Sequence, residues 1–169
     1  MAELIHIVAY DPAWPERFEQ EAAVVRQALA ECCRQIHHVG STSVPGLSAK
    51  PIIDMAVECT DYPPTPAMIA ALSAFDYEHR GEFGVVGRHF FSKGDPRSFH
   101  LHLVPEDGEV ARRQVAFRDY LRSHPAAAQE YLSIKLEAAP GKVLGSNDYV
   151  MAKSPFVERV LKKVLGLKL

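Results

Sequence analysis

The chain has 169 residues, of which 47% are hydrophobic and 24% are charged, and its formal net charge at pH 7 is −2. This length allows one sizeable core, so we expect a single domain over residues 1–169. The balanced charge argues against nucleic acid as a partner, and no apolar run approaches the ~20 residues of a membrane-spanning helix. The start of the chain lacks signal-peptide features and the three cysteines form no Cys-x-x-Cys motif, so we expect a cytoplasmic protein with free thiols.

The first third of the chain predicts a helix followed by two strands. Asp11 and Pro12 are typical of a helix start, and apolar residues then recur at helical spacing from Phe18 to Cys33. Residues 36–39 and 51–58 are predicted to be strands, because apolar residues alternate along them.

The rest of the chain predicts more β-structure and then helices. We expect a helix over 67–75 and strands over 85–92 and 98–104, joined by a hairpin turn. Three further helices are predicted over 110–122, 126–138 and 148–165. This order predicts an α/β (α+β) fold, a mixed β-sheet flanked by helices and with C-terminal helices.

A loop of small residues joins the first two strands and suggests phosphate binding. Backbone N–H groups and short hydroxyls can approach phosphate oxygens closely, and a lysine or arginine adds positive charge. The predicted phosphate-binding residues are Gly40, Ser41, Thr42, Ser43, Lys50 and, from a later glycine-rich segment, Arg88. A glycine-rich hairpin with a surface arginine remains the alternative for the later segment.

Asp54 and two histidines are the candidate catalytic residues. An aspartate among Ile and Met in a strand is expensive to bury without a partner, and His100 and His102 lie on one face of a later strand. On a face shared with Asp54 they would form an acid–base site. With His38 beside the loop they would form a site for a divalent metal such as Mg²⁺, Mn²⁺ or Zn²⁺. A structural ion pair and a solvated histidine face are the alternatives.

The basic residues of the three C-terminal helices are expected on solvated faces of amphipathic helices. We single out Arg118 and Lys153, because helices packed beside a cleft can direct a cation inward.

The residues from His38 to Asp54 resemble the signature of the GrpB family, a group of largely uncharacterised proteins: HVGSTSVPGLSAKPIID. Shorter matches occur in the same order over nearly the whole chain: Tyr10–Trp14, Gly87–Phe90, His100–His102 and Phe117–Arg122. The resemblance implies membership of the polymerase-β-like nucleotidyltransferase superfamily. The family's domain is also fused to dephospho-coenzyme A kinase in some organisms, which implies a link to nucleotide chemistry.

The superfamily pattern is matched only in part. Its Gly-Ser turn corresponds to residues 40–41 and its first carboxylate to Asp54, but Ala56 stands where the second carboxylate belongs. The strand with the two histidines stands where a third carboxylate belongs. Glu58 lies roughly 13 Å from Asp54 at ~3.3 Å per residue, which is too far for both carboxylates to hold the same metal ion. One carboxylate cannot hold two Mg²⁺ ions well, so standard two-metal nucleotidyl transfer does not fit this sequence.

Three functions follow from these patterns. The first is a nucleotidyltransferase-like enzyme that acts on a nucleotide or phosphorylated small metabolite with a single metal or a His/Asp acid–base site. The second is a non-catalytic nucleotide- or phosphate-binding module that has lost the two-metal carboxylate set. The third is a structural or interaction protein in which Asp54 pairs with a buried cation. We expect the first function, with a small-molecule nucleotide or phosphometabolite as the partner.

Overall fold

The computed structural model describes residues 2–166, and these residues contain one five-stranded mixed sheet. Its strands are β1 (Cys33–Val39), β2 (Ile53–Cys59), β3 (Glu78–His79), β4 (His89–Lys93) and β5 (Phe99–Pro105). They lie in the order β1-β2-β5-β4-β3, with β2 and β5 parallel and all other neighbours antiparallel. The predicted mixed sheet is therefore confirmed.

Five α-helices accompany the sheet within the described residues. They are α1 (Trp14–Leu29), α2 (Pro66–Ser73), α3 (Glu109–Ser123), α4 (Pro125–Ala138) and α5 (Asn147–Leu165). Thr65 starts α2, because its Oγ1 accepts a hydrogen bond from the backbone N–H of Met68 at 3.2 Å. None of the helices that the structure describes is long and apolar enough to cross a membrane.

Several predicted boundaries are wrong, two of them by four residues. The helical pattern that we extended to Cys33 ends at Leu29; a short 3₁₀ turn follows, and Cys33 begins β1. The strand predicted to start at Val85 begins only at His89, because the glycines before it adopt positive φ angles in consecutive turns. Apolar periodicity shows which residues are buried, but it does not show where a turn interrupts the backbone.

Strand alternation gives the sheet two different faces. On one face, Met55 and Leu101 pack against Phe18 and Val25 of α1 in the main hydrophobic core, to which α2 also contributes. On the other face, α3, α4 and α5 cover the ends of β2 and β5 and enclose a cavity between helices and sheet. A second apolar cluster fixes these helices to the loop between β1 and β2; it includes Val44, Leu47, Leu121, Phe156 and Val160.

Candidate functional site

The register between β2 and β5 brings the predicted catalytic residues together. Asp54 pairs with His100 and Ala56 pairs with His102 in the parallel ladder. Oδ1 of Asp54 consequently lies 3.2 Å from Nδ1 of His100 and 3.1 Å from Nε2 of His102. The two histidines therefore meet at one carboxylate oxygen on the face that α3, α4 and α5 cover.

Arg88 and Asp54 together determine which nitrogen of His102 carries the proton. Nη1 of Arg88 lies 3.3 Å from Nδ1 of His102, and a guanidinium can only donate, so Nδ1 accepts and Nε2 donates to Asp54. Nη2 of Arg88 donates to the carbonyl oxygens of Glu82 at 3.1 Å and Phe83 at 2.9 Å. Arg88 is buried behind the histidine and does not line the cavity, so the structure does not place it for the predicted contact with phosphate.

Asp54 is ionised in this environment. Burial alone would raise the pKa of its carboxyl, but the hydrogen bonds and charges of His100 and His102 outweigh burial and hold that pKa well below its usual range. Burial lowers the pKa of His102 despite its bond to Asp54, and Arg88 adds to this effect. The result is an anionic carboxylate with a neutral imidazole donor, and 25% of the Asp54 side chain is exposed.

Gly40 allows the loop to approach Asp54. Its φ is 72° and its ψ is −176°, a conformation that residues with a Cβ rarely adopt. A Cβ at this position would lie 2.7 Å from Oδ2 of Asp54, too close for a non-bonded contact. Glycine is therefore required here both by the backbone and by the carboxylate.

The other small residues of the loop are partly occupied by internal hydrogen bonds. Gly40, Ser41 and Thr42 line the cavity, whereas Ser43 does not. Oγ of Ser43 donates to the carbonyl of Gly40, and Oγ1 of Thr42 lies 2.9 Å from Nε2 of His38. Of the predicted phosphate-binding hydroxyls, Ser41 is thus the one that faces the cavity and is not held by the loop itself.

His38 does not join the cluster that was predicted to bind a metal. Val39 is the residue that pairs with Asp54, so the neighbouring His38 points to the opposite face of the sheet. Its ring stacks on Phe18 with the centroids 4.7 Å apart, and burial lowers its pKa to about 4. The structure therefore separates His38 from Asp54 by the thickness of the sheet.

Three lysines from separate parts of the chain converge on the cavity, which has a volume of about 270 Å³. Lys50 comes from the loop, Lys135 from α4 and Lys153 from α5. Nζ of Lys135 donates to Oγ of Ser41 and to a backbone carbonyl, both at 3.0 Å. Nζ of Lys153 lies 4.3 Å and Nζ of Lys50 5.3 Å from the ring centroid of Tyr149. Neither of these two ammonium groups makes a hydrogen bond or ion pair with any residue from 2 to 166.

Burial lowers the pKa of each lysine, and repulsion from neighbouring lysines adds to this effect for Lys135 and Lys153. Burial lowers the pKa of Lys135 to about 7, and the charges of Lys153 and Lys50 contribute. Burial likewise lowers the pKa of Lys153 to about 8, with Lys50 contributing and Asp54 opposing, and it lowers the pKa of Lys50. Asp54 is the one carboxylate among the described residues that line the cavity. The site therefore carries an excess of positive charge and is suited to an anion.

Sequence reasoning singled out Lys153 but missed Lys135. The signal was present in both helices, because each lysine interrupts an apolar stripe at helical spacing. The stripes are Ala128, Tyr131 and Lys135 in α4, and Tyr149, Lys153 and Phe156 in α5. Arg118, the other cation singled out, does not line the cavity; its Nη1 donates to the carbonyl of His38 at 3.1 Å.

The donor set at Asp54 does not fit the predicted divalent metal. Within residues 2–166, no group of three or more His, Cys, Asp or Glu is arranged to hold a metal ion. A histidine that binds a metal directs a lone pair at it and usually donates its other N–H to an acceptor. His102 has the opposite arrangement, because its N–H points to Asp54 and its lone pair faces the guanidinium of Arg88.

The fold and site together define a mixed α/β protein with a cationic cavity between its sheet and its C-terminal helices. The chain belongs to the GrpB family, since the family model described as GrpB protein matches residues 4–163. The structure is similar to the crystal structure of conserved protein GrpB from Enterococcus faecalis, with a TM-score of 0.85 and 37% sequence identity. The match covers 95% of this chain and 98% of that one.

Two curated relatives are longer than this chain. UPF0157 protein YqkA of Bacillus subtilis (strain 168) is 34% identical over 155 residues, which cover 91% of this chain but only 45% of YqkA. Dephospho-CoA kinase of Mycolicibacterium paratuberculosis is 23% identical over 178 residues, covering 90% of this chain and 44% of the kinase. The chain therefore spans less than half the length of either relative.

Proposed function

We propose that this chain is a nucleotidyltransferase-like enzyme that binds a nucleotide or another phosphorylated small metabolite in the cavity beside Asp54. The observation that carries the proposal is the convergence of three lysines and one ionised carboxylate on a cavity of about 270 Å³. The partial match to the nucleotidyltransferase pattern and the name of the mycobacterial relative support a nucleotide as the ligand.

The lysines provide the phosphate-binding end of the site. An ammonium group donates up to three charge-assisted hydrogen bonds to phosphate oxygens. The Nζ atoms of Lys50 and Lys153 lie beside the same aromatic ring and make no hydrogen bond or ion pair within the described residues that a ligand would have to displace. Both can therefore turn to a phosphate group with little loss of existing interactions.

Asp54 provides the group that orients a hydroxyl nucleophile. A carboxylate with a strongly lowered pKa is a weak base, but it holds a hydroxyl group well by accepting its hydrogen bond. In phosphoryl transfer, positioning and electrostatic stabilisation contribute most of the catalysis. In the proposed reaction the hydroxyl oxygen attacks phosphorus while Asp54 accepts its hydrogen bond, the bond to the leaving phosphate breaks, and the departing phosphate takes up the hydroxyl proton. His100 and His102 act through Asp54 and are positioning residues.

A non-catalytic phosphate-binding module is the second candidate. Ala56 favours it, because this residue lies beside Asp54 on the same face of β2 where the two-metal pattern has a second carboxylate. A module of this kind keeps the lysines and the loop but does not transform the ligand.

The experiment compares binding with turnover. Isothermal titration measures binding of ATP, other nucleoside triphosphates and phosphorylated coenzyme A precursors, and ³¹P NMR follows their conversion in the presence of hydroxyl acceptors. The test variant is Asp54→Asn. Glu58→Gln is the matched control, since Glu58 lies on the same face of β2 but pairs with His37 at 2.7 Å.

We expect Asp54→Asn to lower turnover by roughly 100-fold or more, as for a lost positioning group, while the control retains it. Binding without turnover in the wild-type protein would select the non-catalytic module. If none of the phosphorylated compounds binds, both functions are wrong.

A further inference from the structure

The lysine residues in the cavity lack the counter-charges that buried cations usually have. Lys135 is only 3% exposed, yet its two hydrogen bonds go to neutral oxygens. Lys50 and Lys153 are half-buried; each has an aromatic ring as neighbour and no ion pair within the part of the chain that the structure describes. A buried charge without a partner destabilises a protein, so this arrangement indicates a site whose counter-charge is supplied from outside.

The charges around the cavity indicate how much negative charge a ligand should carry. Three ammonium groups face one carboxylate among the described lining residues, which leaves an excess of two positive charges when all of them are ionised. Arg88 does not line the cavity and is not counted, but its charge acts on Asp54 and adds to the positive excess. A phosphate monoester or a diphosphate supplies two or more negative charges, whereas a phosphodiester supplies one.

The same cluster lacks a place for the metal ions that usually neutralise phosphate in nucleotidyl transfer. The N–H groups of His100 and His102 point at Oδ1 of Asp54, so hydrogens rather than lone pairs occupy the space that a metal would take. The remaining nitrogen of His102 accepts from Arg88. An ammonium group can stabilise the charge of a phosphate as a metal ion does, without requiring these donors to rearrange.

We propose that Lys50, Lys135 and Lys153 replace divalent metal ions at this site, so that it selects a ligand with a doubly charged phosphate and binds it without metal. This inference rests on the proposed function, because it assumes that the ligand is phosphorylated. It goes further by defining the charge of the ligand and the groups that neutralise it.

The experiment measures binding of three probes at pH 7 by isothermal titration, each in EDTA and in Mg²⁺, Mn²⁺ or Zn²⁺. AMP and cyclic AMP share one nucleoside but carry a doubly charged monoester and a singly charged diester, respectively. Inorganic pyrophosphate tests the charge without the nucleoside. We expect AMP or pyrophosphate to bind equally well in EDTA and with metal, and cyclic AMP to bind about tenfold or more weakly than AMP.

Variants test whether the lysines are responsible. Lys153→Met should weaken binding of AMP or pyrophosphate about tenfold or more, as expected for one lost charge-assisted hydrogen bond, and Lys153→Arg should retain most of it. Lys162→Met is the control, because Lys162 is exposed on the same helix. Circular dichroism confirms that each variant is folded.

The outcomes separate this inference from the proposed function. Three results would overturn the role of the lysines: binding that requires a metal, equal affinity for AMP and cyclic AMP, or an unchanged affinity in Lys153→Met. Each of them is compatible with a phosphate-binding site, so the proposed function would stand. Failure of AMP, pyrophosphate and every nucleoside triphosphate to bind overturns both proposals.

Discussion

The two faces of the sheet contain buried charges in opposite arrangements. On the face covered by α1 and α2, Glu21 accepts hydrogen bonds from the hydroxyl of Tyr77 at 2.8 Å and from Nζ of Lys93 at 2.7 Å. On the face covered by α3, α4 and α5, Lys135 is equally well buried but bonds only to neutral oxygens. The half-buried Lys153 lies over the ring of Tyr149 and makes no hydrogen bond or ion pair within residues 2–166. One face pairs its charges within the fold, whereas the other leaves positive charge unpaired.

This difference separates a structural interaction from a binding site. A buried pair contributes to stability because each charge compensates the desolvation of the other, so the loss of one partner is strongly destabilising. An unpaired buried cation lowers the stability of the empty protein, and natural proteins retain such groups where function requires them. The comparison therefore predicts that charge removal has opposite effects on the two faces.

The largest expected effect is on the paired face. Glu21→Met leaves Lys93 without its counter-charge and Tyr77 without its acceptor, so we expect the free energy of unfolding to fall by about 3 kcal/mol. Urea denaturation measures this loss. Glu19→Met is the control, because Glu19 is exposed on the same helix and its loss should change stability by less than about 0.5 kcal/mol. Equal losses of stability in Glu21→Met and Glu19→Met would show that the charge of Glu21 is not part of a stabilising pair and would contradict the difference between the two faces.

Arg88→Met tests the polar support behind the site. The change removes one hydrogen bond to His102 and two to backbone carbonyls, so we expect a loss of about 2 kcal/mol. Asp54 still accepts from Nε2 of His102, so the ring keeps this tautomer, but the loss of the guanidinium charge should raise the pKa of His102, which a ¹⁵N NMR titration measures. Arg80→Met, at an exposed arginine paired with Glu78, should leave both stability and this pKa unchanged. An unchanged pKa of His102 in Arg88→Met would contradict the contact between the two side chains.

Gly40→Ala tests the close contact between the loop and the carboxylate. The alanine must adopt a positive φ, which costs about 1–3 kcal/mol, and its Cβ must also displace Asp54. Gly46→Ala separates these two effects, because Gly46 also has a positive φ, 80°, but has no atom within 4 Å of an added Cβ. Thermal unfolding should show a larger loss for Gly40→Ala. Equal losses would show that the contact with Asp54 is unimportant for stability.

Lys153→Met should stabilise the empty protein. The methionine removes a poorly compensated cation from an apolar stripe, and we expect a gain of about 1 kcal/mol, which raises Tm by about 2–4 °C for a chain of this size. Differential scanning calorimetry without phosphate measures the gain, and Lys162→Met again serves as the control. A loss of stability in Lys153→Met would show that the lysine is paired in the protein and would abolish the difference between the faces.

The smallest expected effect is the pH dependence of that gain. The ammonium of Lys153 is disfavoured by burial and by Lys50, and it is favoured by Asp54, with a folded-state pKa of about 8. Below this pH the lysine is protonated in both the folded and the unfolded protein, so its destabilising effect is complete. As pH rises from about 8 to about 10.4 the folded protein loses the proton first. The difference in the free energy of unfolding between wild type and Lys153→Met should therefore fall toward zero. Urea denaturation midpoints of both proteins across this pH range measure the difference in stability. A difference that does not change with pH would contradict the lowered pKa of Lys153.

The sequence alone was sufficient for much of the fold. Apolar spacing predicted most helices and the mixed sheet. Strand alternation predicted that Asp54 and Met55 lie on different faces of the sheet, and that both histidines lie on the face away from Leu101. These features depend on residues that are close in the sequence, so the periodicity of apolar residues is sufficient to predict them. The start of β4 was missed because a series of glycine turns keeps the preceding residues out of the sheet.

The tertiary structure decided which of these local features form a site. The register of β2 against β5 put Asp54 between the two histidines, and the one-residue step from Val39 to His38 excluded that histidine. Packing of α4 and α5 brought Lys135 and Lys153 to the same cavity as Lys50. Local periodicity shows which side of a helix or strand is buried, but the partner on that side is set by contacts between residues far apart in the chain. The sequence by itself therefore determined the elements and their faces, and only long-range packing determined the cationic cavity that they enclose.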